Sequence, residues 1–476
     1  MDEMENKTPR PVNPRRRRRT KAEIFKESYL PALIAGVALL FILVTIIGAI
    51  IQSAKRSDIE EQLALEQAAA EKEQQEKLSA EAAKLLNQAN TYASQYYYEL
   101  AINTLDTFSG DISQFPQLAD AKNRYADLQN NLIAWDDPAE ITNLSFQLLI
   151  ADPVRAFADS NYGTAYNRNF VTIDEFRIIL DQLYENGYVL VGLEDIIETV
   201  STDSGTSFAA KTVYLPEGKK PIVITQTHVN YNIFMTDGNG DKLPDKDGAG
   251  FASKLILNEN GQLVNEYVDR DGNVLTGEYD LVPILNSFIQ KNPTFSYHGA
   301  KAIIAVTGYD GLFGYRTNPG AKNWLSDDAY AQEVSGAKMI ADALRKDGYE
   351  IACYTYENMG YGYSSLTQVQ ADLKRWNDEV VPLLGTIDIL AYAQISDIAD
   401  RGTYSGEKFQ ALTDSGFQYF LGFTSDGSPW ANVEGSYFRH GRILVTGSNM
   451  KYNSQWFNDL FDPVQVLSST RGTIPN

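Results

Sequence analysis

One of the three histidines in the chain, His228, stands where an α/β enzyme usually places its chemistry. The apolar segment PIVIT, from Pro221 to Thr225, predicts a buried strand, and Gln226-Thr227-His228 follows it directly. An imidazole at the carboxyl end of such a strand is a candidate metal ligand or general base. No second histidine or carboxylate is close enough in sequence to complete a site with it. The stretch is therefore either an active site or an altered one.

Other side chains could supply nucleophiles or ligands from more distant positions. Glu357 and Asp310 follow predicted strands and could join His228 in an alternative metal site. Cys353 lies inside the apolar segment YEIACYT, where a buried small hydrophobe is the simpler interpretation. Ser364 has no base nearby in the sequence. None of these groups forms a complete catalytic set by spacing alone.

The acidic loop DGNGDKLPDKDG has spacing similar to that of an EF-hand calcium loop. Its candidate calcium ligands are Asp237, Asn239, Asp241 and Asp245. Lys242 stands where the sixth-position glycine belongs, and Gly248 stands where the bidentate acid belongs. Two alternatives remain for this loop, a calcium site and a solvated acidic loop without a bound ion.

The charge of the chain excludes some partners. The formal net charge is −21, yet residues 1–28 are basic and include the run Arg15 to Arg19. The rest of the chain therefore has a net charge more negative than −21. Such a domain repels nucleic acid and anionic polymers, so we expect no nucleic-acid partner. A single cysteine excludes an intramolecular disulfide.

The segment 29–51 contains no charged residue and reads YLPALIAGVALLFILVTIIGAII. It is long enough to cross the roughly 30 Å hydrocarbon layer and too long for the apolar region of a cleaved signal peptide. The arginines before it favour a cytoplasmic N-terminus. The sequence therefore predicts a cytoplasmic tail at 1–28, one transmembrane helix at 29–51 and an extracellular remainder on the cell membrane.

Residues 52–135 predict a helical stalk. From Ser57 to Asn90 the strong helix formers Glu, Gln, Ala, Lys and Leu dominate, without Gly or Pro. The apolar stripe is broken, so a solvated stalk is favoured over a coiled coil. The following segment, AAKLLNQANTYASQYYYELAINTLDTF, resembles one tetratricopeptide-like hairpin. The stalk is a spacer in this interpretation, and a protein partner could bind its helices.

From Ile141 onward, apolar strands alternate with amphipathic helices. The predicted strands are LSFQLLIAD, YVLVGL, PIVIT, KAIIAVT, YEIACYT, DILAYA and FQYFLGF, and the segment EDIIETV is predicted as a helix. This alternation predicts parallel strands with right-handed crossovers, and about seven repeats favour a barrel. Asn-Gly and Asp-Gly turns in the insert Lys254–Asp280 predict a β-hairpin or three-strand ribbon. Residues 451–476 are expected to form a C-terminal tail.

Several of these segments, taken in order over residues 141–450, resemble the NodB-homology polysaccharide deacetylases, the family-four carbohydrate esterases. They are FVTIDEFRIILDQLYENGYVLVGLEDI, PIVIT, YDLVPILNSFIQKNPTFSYHGAKAIIAVTGYDGLFGYRT, DALRKDGYEIACYT and RWNDEVVPLLGTIDILAYA. The resemblance implies a distorted (β/α) barrel of the deacetylase type and a carbohydrate substrate.

The family's chemistry uses a divalent metal such as zinc, held by one Asp and two His, with a second Asp as base. In the matching registers Thr227 replaces the base and His228 replaces the metal-binding Asp. Tyr354 and Asn358 stand at the two histidine positions. The resemblance therefore implies that no catalytic residue is intact and no metal cofactor is bound. A substitute site from His228, Glu357 and Asp310 is the alternative.

Aromatic residues near predicted strand ends could form a sugar-binding groove. The candidates for substrate binding are Tyr231, Tyr315, Arg316, Tyr356, Tyr392 and Trp430. They could equally fill the barrel mouth. The remaining histidines, His298 and His440, are predicted in a loop and in a polar turn, as surface or hydrogen-bonding residues.

Three functions fit this sequence. The first is a membrane-anchored surface protein that binds or scaffolds cell-wall or capsular glycan as a pseudoenzyme. The second is an active carbohydrate deacetylase with a non-standard site. The third is a structural partner in a surface-polysaccharide assembly.

Overall fold

A computed structural model describes residues 20–202 and 205–476. Its contacts divide the chain into two units, one ending at Ala83 and the other spanning Lys84–Asn476. Near the N-terminus lie the helical turns Lys21–Ile24 and Phe25–Tyr29, followed by the helix Leu30–Ser94. This helical region is long and apolar enough to cross a membrane, and its apolar window is not buried against protein. The arginine run at 15–19, on which the predicted orientation depends, lies outside the described residues.

A helical hairpin lies at the start of the second unit, and its second helix falls beyond the segment 82–108 that resembles a tetratricopeptide hairpin. Its helices are Tyr98–Asp106 and Pro116–Asn130, and they pack against each other through Leu105, Leu118 and Tyr125. The Tyr125 hydroxyl donates a hydrogen bond of 2.6 Å to Asn90 Oδ1, which ties the hairpin to the preceding helix. The strand Leu132–Trp135 then pairs antiparallel with Val213–Pro216.

Seven parallel strands close into a barrel, which confirms the α/β barrel expected from the alternation of strands and helices. They are β1 (Thr142–Phe146), β2 (Lys220–Gln226), β3 (Ile303–Val306), β4 (Glu350–Cys353), β5 (Ile389–Ala391), β6 (Tyr419–Phe423) and β7 (Tyr437–Leu444). Each strand pairs with the next in the sequence, and β7 pairs with β1. The short strand Tyr188–Leu190 pairs with the start of β2. Because all strands run the same way, their carboxyl ends meet at one mouth.

Helices cover the barrel. The longer ones are Ile173–Glu185, Leu281–Lys291, Asp327–Lys346, Leu366–Arg375 and Glu407–Asp414, and shorter ones are Pro153–Ala158, Gly163–Asn169, Leu193–Ile196, Ile233–Thr236, Val381–Leu384, Gly447–Tyr452 and Pro463–Val466. The first of the longer helices shows why they form. Thr172 and Glu175 make a reciprocal capping box at its start. Phe176, Ile179 and Leu183 then recur at helical spacing and are fully buried.

Further antiparallel strands extend the barrel unit, among them Ala431–Glu434, which pairs with β7. Lys254–Leu257, Leu263–Val268 and Val274–Gly277 form the predicted three-strand ribbon. The prediction of a helix over EDIIETV is wrong beyond Ile196, because Ile197–Thr202 is a strand paired with Gly205–Ala210. Its β-branched residues Ile197, Thr199 and Val200 favour an extended backbone once a partner strand is present.

Residues 451–476, predicted as a C-terminal tail, pack against the barrel unit. Phe457, Leu460 and Val466 are buried against the barrel unit. Arg471 forms a bidentate ion pair with Glu175, and both side chains are 1% exposed. The segment lacks long periodic elements, so no local pattern indicates this packing, which depends on a partner about 300 residues away.

Candidate functional site

A cavity of about 420 Å³ lies at the carboxyl mouth of the barrel. All seven barrel strands supply lining residues at or just beyond their carboxyl ends. These are Phe146 and Gln147 from β1, Thr227 and His228 from β2, Tyr309 from β3, Tyr354 from β4, Gln394 and Ile395 from β5, Phe423 from β6, and Leu444 to Thr446 from β7. In barrels of this kind the mouth is where binding and chemistry occur, which makes the cavity the candidate functional site.

The four residues that the sequence resemblance assigns to motif positions meet in this cavity. Thr227, His228, Tyr354 and Asn358 all line it. The rings of His228 and Tyr354 meet edge to face, with centroids 4.9 Å apart. The Thr227 hydroxyl lies 3.3 Å from the carbonyl oxygen of Phe146. The structure thus brings together residues that are 131 positions apart in the chain, from Thr227 to Asn358.

Burial decides the protonation of these groups. It lowers the pKa of His228 to about 4, so the imidazole is neutral at neutral pH. Burial also raises the pKa of Tyr354, although the nearby Arg442 guanidinium opposes this shift. A neutral imidazole, two hydroxyls and an amide can exchange hydrogen bonds with a ligand. Neither Thr227 nor Asn358 can act as a general base near neutral pH.

The residues present do not fit a catalytic metal. Glu357 pairs with Arg375, and Asp310 Oδ2 accepts a 2.7 Å hydrogen bond from the backbone N–H of Ile233. Neither carboxylate lines the cavity with His228. Throughout residues 20–202 and 205–476, no three His, Cys, Asp or Glu side chains form a metal-binding group. A catalytic zinc site usually needs three protein ligands, and among the described residues only one imidazole lines the cavity.

The candidate calcium loop uses its carboxylates to hold its own backbone. Asp237 accepts hydrogen bonds from the backbone N–H groups of Gly240 and Lys242, at 2.6 and 2.8 Å. Asp245 accepts from four backbone N–H groups between Gly238 and Gly248. Asn239 and Asp241 likewise accept from backbone N–H groups two residues ahead. These turn contacts fix the backbone of the loop but leave lone pairs on its carboxylates, so calcium binding stays a prediction.

Four residues with a strained backbone line the cavity. His228, Asn358, Gln394 and Ile395 all line it, and their φ angles are +63°, +54°, +55° and +51°. Non-glycine residues in this left-handed region cost about 1–3 kcal/mol each, and they collect at functional sites. Nothing in the sequence marks these positions, because no glycine stands there.

Most of the predicted groove aromatics are core residues rather than cavity residues. Tyr231, Tyr356 and Tyr392 are completely buried. Tyr315 and Arg316 are at most 8% exposed, and Arg316 Nη2 donates a 2.7 Å hydrogen bond to the Tyr231 carbonyl oxygen. In this structure none of the five lines the mouth cavity. The sixth residue, Trp430, lines a neighbouring cavity. The first five are therefore interior residues that lie outside the mouth cavity.

Other aromatic residues surround the mouth instead. Tyr162, Tyr166, Phe170, Phe234 and Tyr309 line the cavity. Tyr162 and Phe234 are 44% and 49% exposed, and their ring centroids lie 5.3 Å apart. We call these two residues the aromatic rim. The spacing of aromatic residues in SNYGTAYNRNF could have indicated Tyr162 as a site residue. Phe234 lies eight residues after the end of β2, and no sequence pattern indicated it.

The remaining histidines lie away from the mouth cavity. The prediction of a polar turn at His440 is wrong, because this residue is fully buried on β7. Its Nε2 lies 2.7 Å from the Ile141 carbonyl oxygen, and burial lowers its pKa to about 4. His298 lies in a loop and stacks between Tyr97 and Tyr297, at centroid distances of 4.0 and 3.7 Å. Both histidines therefore have structural contacts.

Comparison with known proteins found similarity to a solved structure. No family model and no curated protein matches the chain. Among solved structures, a Streptococcus pyogenes deacetylase, PplD, in complex with acetate is similar, with a TM-score of 0.32 and 13% sequence identity. The alignment covers 67% of this chain and 98% of that one. Similarity at this level says nothing of the chemistry of this chain.

Proposed function

We propose that this chain is a membrane-anchored surface protein whose barrel binds cell-wall or capsular glycan without the metal chemistry of the deacetylases it resembles in sequence. The observation that carries the proposal is the mouth cavity. Among the described residues, it combines an exposed aromatic rim and several hydrogen-bonding groups with a single imidazole as its metal-ligating side chain. Aromatic faces and a few placed polar groups are what a sugar site requires.

Each part of the cavity has a role in this proposal. The aromatic rim, Tyr162 and Phe234, stacks on the apolar face of a sugar ring. Gln394 and Asn358 exchange hydrogen bonds with acetamide and hydroxyl groups, and neutral His228 does the same. An uncharged glycan also suits a chain with a net charge of −21, which repels anionic polymers at low salt.

The apolar helical segment supplies the anchor in this proposal. A segment of this length and hydropathy suits a single membrane span. The basic run at 15–19 favours a cytoplasmic N-terminus, which places the barrel outside the cell. The helices between the membrane and the barrel then act as a spacer, and they offer a surface for a protein partner in a polysaccharide assembly.

The wild-type chain in detergent is expected to release no acetate from N-acetylglucosamine oligomers. Thr227 cannot activate water near neutral pH, and the donor set at the mouth does not fit a metal. Acetate is measured with a coupled assay, and His228→Ala is expected to give the same baseline. Acetate release that His228→Ala abolishes would instead support the second candidate, a deacetylase with a non-standard site. The left-handed backbone of His228 is the observation that favours that candidate.

Glycan binding is expected to depend on the aromatic rim. Replacing both Tyr162 and Phe234 by alanine removes two stacking contacts, each worth about 0.5–1.5 kcal/mol, so affinity falls by about tenfold or more. Calorimetry with N-acetylglucosamine oligomers measures this loss. Tyr214→Ala is the matched control, because Tyr214 is 50% exposed but lies outside the cavity. Equal affinity of the rim variant and the control would contradict binding at the mouth.

A further inference from the structure

A lysine, an asparagine and an aspartate meet on the barrel unit at a distance from the mouth cavity. Lys301 lies two residues before β3, and Asn286 lies on the helix Leu281–Lys291. Asp347 follows the helix Asp327–Lys346 and lies shortly before β4. Lys301 and Asp347 thus stand at the amino ends of their strands, opposite the mouth, and none of the three residues lines the mouth cavity. The cluster is separate from the candidate glycan site.

Each of these three side chains contacts the other two. Lys301 Nζ lies 2.6 Å from Asn286 Oδ1 and 2.7 Å from Asp347 Oδ2. Asn286 Nδ2 donates a 2.7 Å hydrogen bond to the same Asp347 oxygen. An amine is a nucleophile, the carbon of a carboxamide is an electrophile, and a carboxylate can carry protons between them. The cluster therefore contains every group that a transamidation needs.

Tyr349 adds a hydroxyl at the carboxamide oxygen. The Tyr349 hydroxyl oxygen lies 2.8 Å from Asn286 Oδ1 and 3.0 Å from the Val282 carbonyl oxygen, so its proton can turn toward Oδ1. Burial raises the pKa of Tyr349 well above its ordinary value, which keeps the hydroxyl a proton donor. A donor in this position stabilises the negative charge that develops on Oδ1 when a nucleophile adds to Cγ.

The backbone holds the cluster together. Gly348 has a φ of +91° and ends the helix that precedes it, with the Tyr349 N–H donating to the Leu344 carbonyl oxygen at 3.0 Å. The Gly348 carbonyl oxygen then accepts a 3.0 Å hydrogen bond from the Lys301 N–H. A Cβ atom at Gly348 would overlap the Gly299 carbonyl oxygen. The fold therefore places the amine against the carboxamide before any reaction, which is how proximity lowers a barrier.

The surroundings of Lys301 favour its reactive form. Its side chain is 11% exposed, and its Nζ lies 5.2 Å from the centroid of the Tyr349 ring. Burial lowers the pKa of Lys301, while the hydrogen bond and the charge of Asp347 oppose this shift. Removal from water is a common way to activate a lysine nucleophile. Asp347 is 41% exposed, so a small leaving group has a path to solvent.

We propose that the folded chain joins Lys301 to Asn286 through an intramolecular isopeptide bond. Asp347 takes a proton from the ammonium group, and Lys301 Nζ adds to Asn286 Cγ. The bond between Nζ and Cγ forms, the bond between Cγ and Nδ2 breaks, and the two protons that Nζ loses pass through Asp347 to Nδ2. The products are a secondary amide and an ammonium ion, and Asp347 is again a carboxylate. No oxidant, cofactor or second substrate takes part.

The cross-link ties the helix Leu281–Lys291 to the start of β3. Its two ends are 15 residues apart in the chain, so it closes a short loop and restricts the unfolded state. An amide bond, unlike a disulfide, does not depend on redox conditions, and this chain has a single cysteine. The inference does not depend on glycan binding.

Mass spectrometry of the full chain, purified in detergent and then denatured, tests the bond. Wild type is expected to be lighter than its sequence mass by about 17 Da, the mass of the ammonia lost. Trypsin should release a branched peptide that joins residues 271–291 to residues 292–316, without cleavage after Lys301. Lys301→Arg keeps the charge and is expected to show the full sequence mass, which separates this loss from ammonia lost elsewhere. Full mass in wild type, with cleavage after Lys301, would overturn the proposal.

Asp347→Ala tests the proton carrier, because it keeps both residues that react. The bond is expected to form at least about a hundredfold more slowly in this variant. Lys254→Arg is the matched control. The Lys254 side chain is 24% exposed, and its Nζ pairs with Glu333 at 3.1 Å and lies over the Tyr315 ring, but among the described residues no side-chain amide contacts this Nζ. It should keep the mass deficit. A branched peptide that forms in Asp347→Ala as fast as in wild type would overturn the role of Asp347.

Discussion

Arg471→Ala is expected to lower the free energy of unfolding by about 3–5 kcal/mol, the usual cost of breaking a buried ion pair from one side. Arg471 Nε and Nη2 each donate a 2.6 Å hydrogen bond to the Glu175 carboxylate, and both side chains are 1% exposed. The guanidinium also donates to the carbonyl oxygens of Asn167 and Phe170. Alanine would leave the carboxylate and these carbonyls buried without that partner.

Urea unfolding of the detergent-solubilised chain measures this loss. Arg177→Ala is the matched control on the same helix as Glu175. Its side chain is 40% exposed and pairs with Asp174 and Glu278, each at 3.3 Å, so removal of these solvent-exposed pairs should cost about 1 kcal/mol or less. Arg471→Lys should fall between the two, because lysine keeps the charge but loses the planar fork. A loss for Arg471→Ala no larger than that of Arg177→Ala would contradict a structural role for the buried pair of Arg471 and Glu175.

Local patterns predicted the barrel well. PIVIT became the core of β2, and the segment from Thr172 to Gly187 became a helix that begins with a capping box and ends next to a glycine with φ of +83°. Each of these two signals is contained within one short segment of the sequence. A barrel then follows, because parallel strands with short crossovers have few other ways to bury both faces.

Burial of the tyrosines could not be predicted in the same way. Tyrosine is amphipathic, so its type alone does not separate a groove residue from a core residue. Tyr231 is fully buried because its hydroxyl reaches Asp280, 49 positions further along the chain. Tyr162 is exposed because it stands at the start of a short helix at the mouth. Only the three-dimensional structure separates these two cases.

The prediction of a polar turn at His440 and its neighbours was wrong for a related reason. FRHGR looks like a polar turn, yet Arg439, His440 and Arg442 lie on β7 and are completely buried. Arg439 is compensated by Asp397, and Arg442 by the carbonyl oxygens of Gly422 and Tyr392. Such partners come from neighbouring strands and loops, so the local sequence alone assigns these charges to the surface.

The second prediction with a large expected effect on stability concerns Asp280, a buried carboxyl group behind the mouth cavity. It accepts hydrogen bonds from the backbone N–H of Leu149, from Gln226 Nε2 and from the Tyr231 hydroxyl, at 2.9, 2.6 and 2.8 Å. Burial raises its pKa from 3.8 to about 6, and these hydrogen bonds only partly oppose the shift. The folded state therefore binds this proton more tightly than the unfolded state does.

The sign of the effect follows from that difference. The stabilisation by the raised pKa is fully present below the unfolded value of 3.8 and is lost as the pH rises through about 6. A pKa difference of about 2 corresponds to roughly 3 kcal/mol. An asparagine side chain at this position would carry no charge at any pH and could still accept from Leu149 and Gln226. Asp280→Asn should therefore become more stable relative to wild type as the pH rises.

The expected result is a change of roughly 3 kcal/mol in the difference between Asp280→Asn and wild type, from about pH 4 to about pH 8. Urea unfolding at a series of pH values measures this difference. Asp271→Asn is the control, because Asp271 lies on an exposed turn of the three-strand ribbon and its substitution should leave the difference flat. Other titrating groups are common to all three proteins and cancel in the comparison. If the curves for Asp280→Asn and wild type stay parallel over this range, then Asp280 is not the buried, destabilised carboxylate that the hydrogen-bond network behind the mouth implies.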